Sequence, residues 1–455
     1  MVIITKNLYL RIIILTSVIN IFCAHVYSTV DVNLIGFINS FGSFSCHTSS
    51  FVETLHPGEN VKIFRTKKCS TQHLPAHLAN VLEKSVDLLE KKIPVIYKKY
   101  PARKLDNRLE LSRSPVKLEH KDTRLITGIT IHTDTLWHRW DEYAAIPNQS
   151  ILKFAYCVTE RTLVPTPWVE KLNTHFDALL VADEWLIDVY KNSGVTLPIF
   201  VLPEVLDLKS FLAKPTKTRR NKPFVFGFSG GFWPRKNHEL LLRAFIEEFG
   251  DNPDVTLRLH GRFEGGFEKF QETFNKIKTP NVTLEHKAFS RAEYENFITS
   301  LDCYATVSKG EGFSIIPREA MAAGIPCIVS DNTAQTTICK SGCVYSVPSN
   351  IIEDSYHLKL EENFGHDFNC DIKDVRKALR DVYGHYQYYL ALAQQGREWV
   401  KQYLAENLKE KYHAIVHPHT VIFGKNNEIV GDCLVTNSRT LYEKYMLLTK
   451  MREES

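Results

Sequence analysis

Short apolar strands alternate with helical segments along most of the chain, and they do so in two separate series. In the first series, a strand at residues 32–38 precedes a helix near 49–55, and a strand at 177–182 precedes a helix near 185–192, with β-rich runs at 126–132 and 152–158 between them. The second series starts near Phe224 and continues in the same rhythm to about Ser330. A helical pattern is then predicted from residue 375 to about 414, and short strands are predicted between residues 420 and 435. Strands that alternate with helices form parallel sheets, because a parallel connection needs a long crossover. The pattern therefore predicts an α/β chain with two Rossmann-like domains.

A polar and basic stretch, residues 207–222, separates the two series. Its basic side chains are Lys214, Lys217, Arg219, Arg220 and Lys222. This composition is typical of a solvated linker, and a patch that touches anionic lipid or substrate is the other interpretation. The predicted parts of the chain are a leader (1–30), a first domain (31–206), the linker (207–222), a second domain (223–390) and a C-terminal crossing helix and tail (391–455).

The first 30 residues leave the localisation open. Lys6 and Arg11 precede an apolar run from Ile12 to Ala24, which resembles a signal peptide or a short anchor. The run is short for a membrane-spanning helix. Two interpretations stand: a segment that directs the chain to a membrane, secretory or periplasmic compartment, or a leader that packs on the first domain of a cytoplasmic or membrane-associated protein.

Composition excludes several classes of protein. The 455 residues carry a net charge of only +4, which gives no electrostatic footprint for nucleic acid. The ten cysteines show no paired zinc-ligand spacing, so we expect reduced or buried thiols. No Asp-x-Asp motif occurs, and we therefore predict no metal site.

Residues 308–331 have the composition of a ligand-binding turn. Their sequence predicts a loop with Gly310 and Gly312, a short helix that Gly324 ends, and another strand. The two loop glycines let the backbone bend and approach a ligand closely. The unpaired amides of residues 312–314 would then face the carboxyl end of a strand, where a diphosphate is well placed.

Two carboxylates flank this turn. Glu311 lies in the loop and Glu319 lies eight residues further, inside the helix. At helical rise the two are about 12 Å apart. A nucleotide-sugar has hydroxyl-bearing rings on both sides of its diphosphate, so two acceptors at this separation suit its ribose and its transferred sugar.

A second glycine turn begins the second domain. Gly230 and Gly231 follow a predicted strand, and Arg235 and Lys236 precede an amphipathic helix. The glycines permit close approach to a phosphate, and the two cations can neutralise it.

The segment at 308–331 resembles the Glu-x7-Glu signature of the retaining glycosyltransferases of family 4, which have the GT-B fold. That fold consists of two Rossmann-like domains that face each other across a cleft, with a C-terminal helix that returns to the first domain. The resemblance implies that Glu311 contacts the transferred sugar and that Glu319 contacts the ribose. The matching residues are Ser308, Glu311, Gly312, Phe313, Glu319, Ala320, Met321, Ala322, Gly324 and Pro326.

The turn near residue 230 resembles the family's Gly-Arg-x4-Lys-Gly loop. Lys236 falls on the family lysine, whereas Gly231 stands where the family has arginine. Arg235 is the candidate to supply that charge from a shifted position. By the same resemblance, Lys287 and Phe289 lie beside the base and His132 lies near the sugar, although a lone histidine is more often structural.

The predicted site combines these positions. Predicted catalytic residues are Glu311, Lys236, Arg235 and His132. Predicted donor-binding residues are Glu319, Gly230, Gly231, Gly312, Phe313, Ser314, Lys287 and Phe289. In the first domain, residues 40–43 resemble the family's first glycine-rich turn, and Glu160 either faces the cleft or caps a loop.

The resemblance implies a retaining, metal-independent hexosyltransferase that needs no tightly bound cofactor. Its donor would be a UDP-, GDP- or ADP-sugar, and its acceptor a carbohydrate, a lipid, a protein-linked glycan or another hydroxyl compound. Peripheral contact with a membrane is a further expectation. The alternatives are a GT-B epimerase or phosphorylase, and a nucleotide-sugar-binding protein that has lost turnover, which the missing arginine at Gly231 favours.

Overall fold

The computed structural model describes most of the chain from Asp31 onward. The described residues are 31–36, 38, 43–55, 60–65, 78, 85–87, 128–133, 148–261, 266–357 and 362–453. The predicted leader (1–30) and Gly42 of the predicted turn at 40–43 lie outside them.

The first domain is built on a parallel sheet of seven described strands in the order β3-β2-β1-β4-β5-β6-β7. The central strands are buried on both faces, as continuous apolar sequences such as Ala-Leu-Leu-Val of β6 require. The strands are β1 (Asp31–Gly36), β2 (Asn60–Arg65), β3 (Val86–Asp87), β4 (Ile129–His132), β5 (Leu152–Tyr156), β6 (Ala178–Val181) and β7 (Ile199–Val201).

Helices cover this sheet and lead out of it. The helix after β1 buries Phe51, Val52 and Leu55 against the sheet. The helices are α1 (Ser43–Leu55), α2 (Thr166–His175), α3 (Trp185–Asn192) and α4 (Lys209–Leu212), the last of which lies in the predicted linker.

The second domain repeats the design with six parallel strands in the order β10-β9-β8-β11-β12-β13. The strands are β8 (Phe224–Ser229), β9 (Val255–Gly261), β10 (Val282–His286), β11 (Cys303–Thr306), β12 (Cys327–Asp331) and β13 (Tyr345–Pro348). Its helices are α5 (His238–Phe249), α6 (Phe267–Ile277), α7 (Arg291–Ser300), α8 (Ile315–Ala322) and α9 (Gln335–Cys339). The predicted second α/β series is thus confirmed.

An antiparallel hairpin, which the sequence pattern did not predict, follows the second sheet. It consists of β14 (Ile351–His357) and β15 (Glu362–Asn369). The helical pattern predicted from residue 375 to about 414 is divided into α10 (Ile372–Gly384), α11 (Tyr386–Trp399), a 3-10 turn (Val400–Tyr403) and α12 (Ala405–Val416). The helix breaks where His385 leaves helical geometry and where Leu404 is extended.

The chain returns to the first domain through α12. The Tyr412 ring meets Phe51 of α1 at 4.8 Å between centroids, and the Tyr412 hydroxyl donates to the Pro203 carbonyl at 2.9 Å. A small sheet of β16 (Thr420–Phe423), β17 (Glu428–Val430) and β18 (Cys433–Thr436) follows, and α13 (Arg439–Glu453) closes the described chain. The strands predicted between residues 420 and 435 are therefore present.

The described part of the chain contains no helix that is both long and apolar enough to cross a membrane. Cys157, Cys303 and Cys327 are buried free thiols, and burial raises the pKa of each.

Candidate functional site

Three of the predicted catalytic side chains form one ionic cluster where the two domains meet. The Lys236 Nζ lies 2.5 Å from Glu311 Oε1, and Arg235 Nη1 lies 3.2 Å from Glu311 Oε2. The other guanidinium nitrogen of Arg235 is 2.9 Å from Glu160 Oε1 of the first domain. The turn after β8, the loop after β11 and the segment after β5 thus bring four charges together.

The charged groups of this cluster shift one another's pKa values. Burial by itself would raise the pKa of Glu311, but the neighbouring Lys236 and Arg235 outweigh it and hold that pKa at about 2. Burial also lowers the pKa of Lys236, and Glu311 offsets only part of this effect. Glu311 is therefore an ionised, acceptor-only carboxylate at neutral pH.

Gly310 and Gly312 bring the loop between β11 and α8 against the first domain. A Cβ atom on Gly310 would lie 2.1 Å from the Glu160 carbonyl oxygen, and one on Gly312 would lie 3.0 Å from the Thr159 carbonyl oxygen. The predicted close approach is thus an approach to the backbone of residues 159–160. Because the contact is between backbones, a larger side chain would push the two domains apart.

The start of α8 is held in a strained backbone conformation. Ser314 precedes the helix with φ of 66°, which side-chain-bearing residues rarely adopt. The side chain of Arg318 donates to the Phe313 and Ser314 carbonyls and fixes this turn. The turn lies between the end of β11 and the start of α8. The binding of a diphosphate by the amides of residues 312–314 stays a prediction.

Glu319 is buried on α8 and faces α7. The Tyr294 hydroxyl donates to Glu319 Oε2 at 2.5 Å, and Arg291 Nη1 lies 3.9 Å from Glu319 Oε1. Glu319 is therefore anchored by a different pair of residues from Glu311, on the other side of the turn at 312–314.

Residues 211–356 match the family model described as "Glycosyl transferases group 1". The second domain is therefore similar to group 1 glycosyltransferases, and we call it the group 1 domain. No curated protein matches the chain in sequence.

Solved structures share the two-domain arrangement. Sucrose-phosphate synthase from Thermosynechococcus elongatus is 15% identical with a TM-score of 0.54, over 84% of this chain and 97% of that one. HepE from Anabaena, in complex with UDP and glucose, is 10% identical with a TM-score of 0.56, over 84% of this chain and 98% of HepE. The chain covers 54% of the length of TarM, with 64% of its own residues aligned, 14% identity and a TM-score of 0.49. The chain therefore has the GT-B fold.

The turn of the group 1 domain at residues 230–237 differs from the family pattern at a second position. Asn237 follows Lys236, where the pattern has glycine, and it has the left-handed φ of 59° that glycine would adopt. Asparagine tolerates this conformation better than other residues. Its side chain bonds to the Val307 carbonyl at 3.1 Å and to Asn369 at 2.8 Å, so the substitution also connects the turn to β11 and β15.

Gly230 is needed for packing in the same turn. A Cβ atom there would lie 2.8 Å from the Phe228 ring. Gly231 provides no charge, and Arg235 pairs with Glu311. The role of Arg235 as a substitute for the family arginine stays a prediction.

The residues predicted beside the base are placed apart from the ionic cluster. Lys287 Nζ lies 2.7 Å from Glu293 on the surface, and Phe289 stacks on His260 with centroids 3.8 Å apart. His260 is in turn bonded to Ser229 at 2.9 Å. Phe289 is thus buried in the packing of the second domain. The base-binding roles of Lys287 and Phe289 stay predictions.

His132 lies at the carboxyl end of β4, buried inside the first domain. The rings of His132 and Phe176 meet edge to face, with their centroids 6.1 Å apart. This contact is part of the packing inside the first domain. The catalytic role of His132 stays a prediction.

Sequence reasoning missed a buried pair at the same end of the first sheet. His47 of α1 has Nε2 at 3.1 Å from Glu204 Oε1, and its ring lies 4.6 Å from that of Tyr156. The two residues are 157 positions apart, so no spacing in the sequence could have indicated the contact.

The hairpin is the second feature that sequence reasoning missed. Its strand β15 bonds to the first domain through the Leu163 amide, which donates to the Phe364 carbonyl at 2.9 Å, and through Arg161, 3.0 Å from Asp367. Glu160, which contacts Arg235, directly precedes this segment. The hairpin therefore supports the first-domain side of the cluster.

Proposed function

We propose that the chain is a retaining glycosyltransferase that transfers a hexose-type sugar from a nucleotide-sugar to a hydroxyl acceptor. The observation that supports this most is the contact of Lys236 and Arg235 with Glu311 in front of the turn at residues 312–314. Two cations, one ionised carboxylate and free helix amides are the groups that a sugar diphosphate requires.

In this proposal Lys236 and Arg235 stabilise the leaving group. The bond between the anomeric carbon and the diphosphate oxygen breaks, and its electron pair stays on the diphosphate. Negative charge increases there as an oxocarbenium-like sugar forms. Fixed cations at that position stabilise the transition state more than the ground state. The acceptor oxygen then bonds to the anomeric carbon, and its proton passes to the departing phosphate.

The two carboxylates hold the rings on either side. Glu311, ionised because its pKa is about 2, accepts hydrogen bonds from hydroxyls of the transferred sugar. Glu319 would exchange its bond from Tyr294 for the ribose hydroxyls. Because the cations already neutralise the diphosphate, we propose that transfer needs no divalent metal.

A UDP-sugar is the first donor to test, since HepE, of the same fold, was solved with UDP-glucose. We propose a glycan, lipid-linked or protein-linked acceptor, with water as the substitute acceptor in the assay. Localisation to a membrane surface is part of the proposal and rests on the leader sequence alone.

The experiment compares donor hydrolysis in Glu311→Gln, Lys236→Ala and two surface controls. The controls are Glu272→Gln and Lys269→Ala on exposed positions of α6. We expect the controls to match the wild type and both site variants to lose about 10²–10³-fold in kcat, since each removes transition-state stabilisation. Chelation by EDTA should leave the wild-type rate unchanged, and NMR of the first product should show the donor's anomeric configuration.

A nucleotide-sugar-binding protein without turnover is the second candidate, and Gly231 favours it because the family arginine is missing there. Calorimetric binding of UDP together with undetectable hydrolysis of every donor in a panel of UDP-, GDP- and ADP-sugars would establish it. Unaltered hydrolysis in Glu311→Gln would instead show that the site has been assigned wrongly.

A further inference from the structure

A cavity of about 370 Å³ lies at the outer edge of the group 1 domain, between β13, α10 and α11. Its volume is within the range of about 300–1,000 Å³ that is usual for small-molecule sites. Six of the lining residues carry the argument: Tyr345, Ser346, Asp374, Lys377, Tyr388 and Tyr389. None of them belongs to the cluster around Glu311. We call this cavity the tyrosine groove.

Three tyrosine rings adjoin one another in the tyrosine groove. Tyr345 and Tyr389 have centroids 5.8 Å apart, and Tyr388 meets Tyr389 edge to face at 5.1 Å. Tyr388 is 62% exposed, among the most exposed large apolar side chains described. Single exposed rings are common, but adjoining rings around a concavity leave apolar area in water and mark a ligand surface.

The polar groups of the groove are a balanced set of donors and acceptors. The Tyr345 hydroxyl donates to Asp381 Oδ2 at 3.2 Å, and Lys377 Nζ lies 3.7 Å from the same oxygen. The carboxylate of Asp374 and the hydroxyl of Ser346 line the wall. One ammonium group among carboxylates gives no excess of positive charge, so the groove does not suit a phosphate or sulfate ligand.

Rings with polar edges beside paired acceptors and donors match the chemistry of a neutral sugar. A pyranose presents C–H groups on its faces, which pack on tyrosine rings, and hydroxyls around its rim, which bond to carboxylates and an ammonium group. The groove is open to solvent, so an extended chain can cross it without being enclosed.

The groove is rigidly connected to the donor side of the domain. Tyr345 of β13 pairs with Ile328 of β12, and β12 directly follows α8 with Glu319. A glycan held in the groove would therefore stay at a fixed distance from the domain that binds the donor.

We propose that the tyrosine groove is a second saccharide site, which binds a neutral oligosaccharide segment of the acceptor or product glycan away from the reaction centre. This inference rests on the proposed function for the identity of the glycan, while the binding itself can be tested separately.

The test uses the full chain on an array of neutral linear gluco-, galacto- and manno-oligosaccharides of three to six units, with sulfated counterparts. The strongest neutral hit is then titrated calorimetrically into the wild type, Tyr388→Ala, Glu311→Gln and Phe423→Ala. Phe423, in the C-terminal sheet, is a matched control because it is also a half-exposed aromatic residue. Thermal melting checks that each variant is folded.

We expect a neutral hit whose affinity falls about ten-fold in Tyr388→Ala and stays at the wild-type value in Phe423→Ala and Glu311→Gln. Oligosaccharide binding that is lost in Glu311→Gln and kept in Tyr388→Ala would place the sugar in the reaction centre and overturn the proposal of a saccharide site in the groove. Absence of any neutral hit, or preference for the sulfated set, would also overturn it. UDP, GDP and ADP are titrated in parallel: oligosaccharide binding without binding of any of the three would contradict the proposed function and leave the groove standing.

Discussion

Two arginines of the group 1 domain reach the first domain, and they do so in different surroundings. Arg318 is completely buried, with its guanidinium 4.1 Å from the Phe313 ring centroid, 4.7 Å from that of Tyr403 and 4.0 Å from Asp183. Arg235 keeps 12% of its side chain exposed and pairs with Glu160, which is 34% exposed.

The contact of Arg318 with the first domain, which we call the joint, is structural, whereas we propose that the contact of Arg235 takes part in the reaction. Burial raises the pKa of Asp183, and Arg318 counters only part of that effect, so the joint depends on ring contacts as much as on charge. The Arg235 contact lies next to Glu311 and consists of charges that an incoming diphosphate can share. We therefore expect changes at Arg318 to alter stability and changes at Arg235 to alter chemistry.

The largest expected effect is on stability. Arg318→Met should lower the free energy of unfolding by about 3–5 kcal/mol, because it leaves Asp183 buried without its cation. Arg243→Met, at an exposed pair within α5, is the control and should cost no more than about 0.5 kcal/mol. Urea unfolding of the full chain measures both. Equal stability of the two variants would mean that the joint does not hold the domains together.

The next effect is on turnover. Arg235→Met should lower donor hydrolysis about 10²–10³-fold, because one cation is lost from the leaving group's position. Its melting temperature should stay near that of the wild type, and Arg235→Lys should recover part of the rate. If Arg235→Met hydrolyses donor at the wild-type rate, Lys236 alone neutralises the diphosphate.

A smaller effect is expected at the first-domain end of the same contact. Glu160→Gln removes a carboxylate that competes with the diphosphate for Arg235, so the Kd for UDP should fall about two- to five-fold, equivalent to about 0.5–1 kcal/mol. Calorimetry measures it, with Glu184→Gln elsewhere in the first domain as the control. A higher Kd would show instead that Glu160 holds Arg235 in its binding position.

The smallest effect concerns pH. Because the pKa of Glu311 is held at about 2, its ion pairs are fully formed above the ordinary carboxyl range and are lost only as the pH falls toward 2. Binding of UDP-glucose should therefore show no acid limb from Glu311 between pH 7 and about 4.5. A midpoint near pH 5 in the wild type that disappears in Glu311→Gln would contradict the ionic cluster.

The sequence predicted the parts of the fold that depend on local pattern. Both parallel sheets follow from runs of apolar residues. The turn before α8 follows from Gly310 and Gly312, and the end of α8 follows from Gly324, all within one segment. Lys236 and Glu311 were paired as site residues on resemblance, and their contact in the structure joins two loops of the same domain.

Contacts between distant segments were not predictable from one sequence. An arginine within a helix, such as Arg318, ordinarily indicates an exposed position, and only the rings of Phe313 and Tyr403 explain its burial. Whether Glu160 faces the cleft or caps a loop could likewise not be decided from the sequence, because its partner Arg235 is 75 positions away. The hairpin at 351–369 was missed because its strands are polar and its contacts reach distant segments, Lys309 of the second domain and residues 161–163 of the first.

The hairpin has a consequence for how the cleft opens. Both its ends belong to the second domain, while Gly365, with φ of 80°, lies so close to Thr162 that a side chain there would collide with it. Widening the cleft on this side must break the hydrogen bond from the Leu163 amide to the Phe364 carbonyl and the ion pair between Arg161 and Asp367. The hairpin thus works as a clasp that joins the second domain to the first.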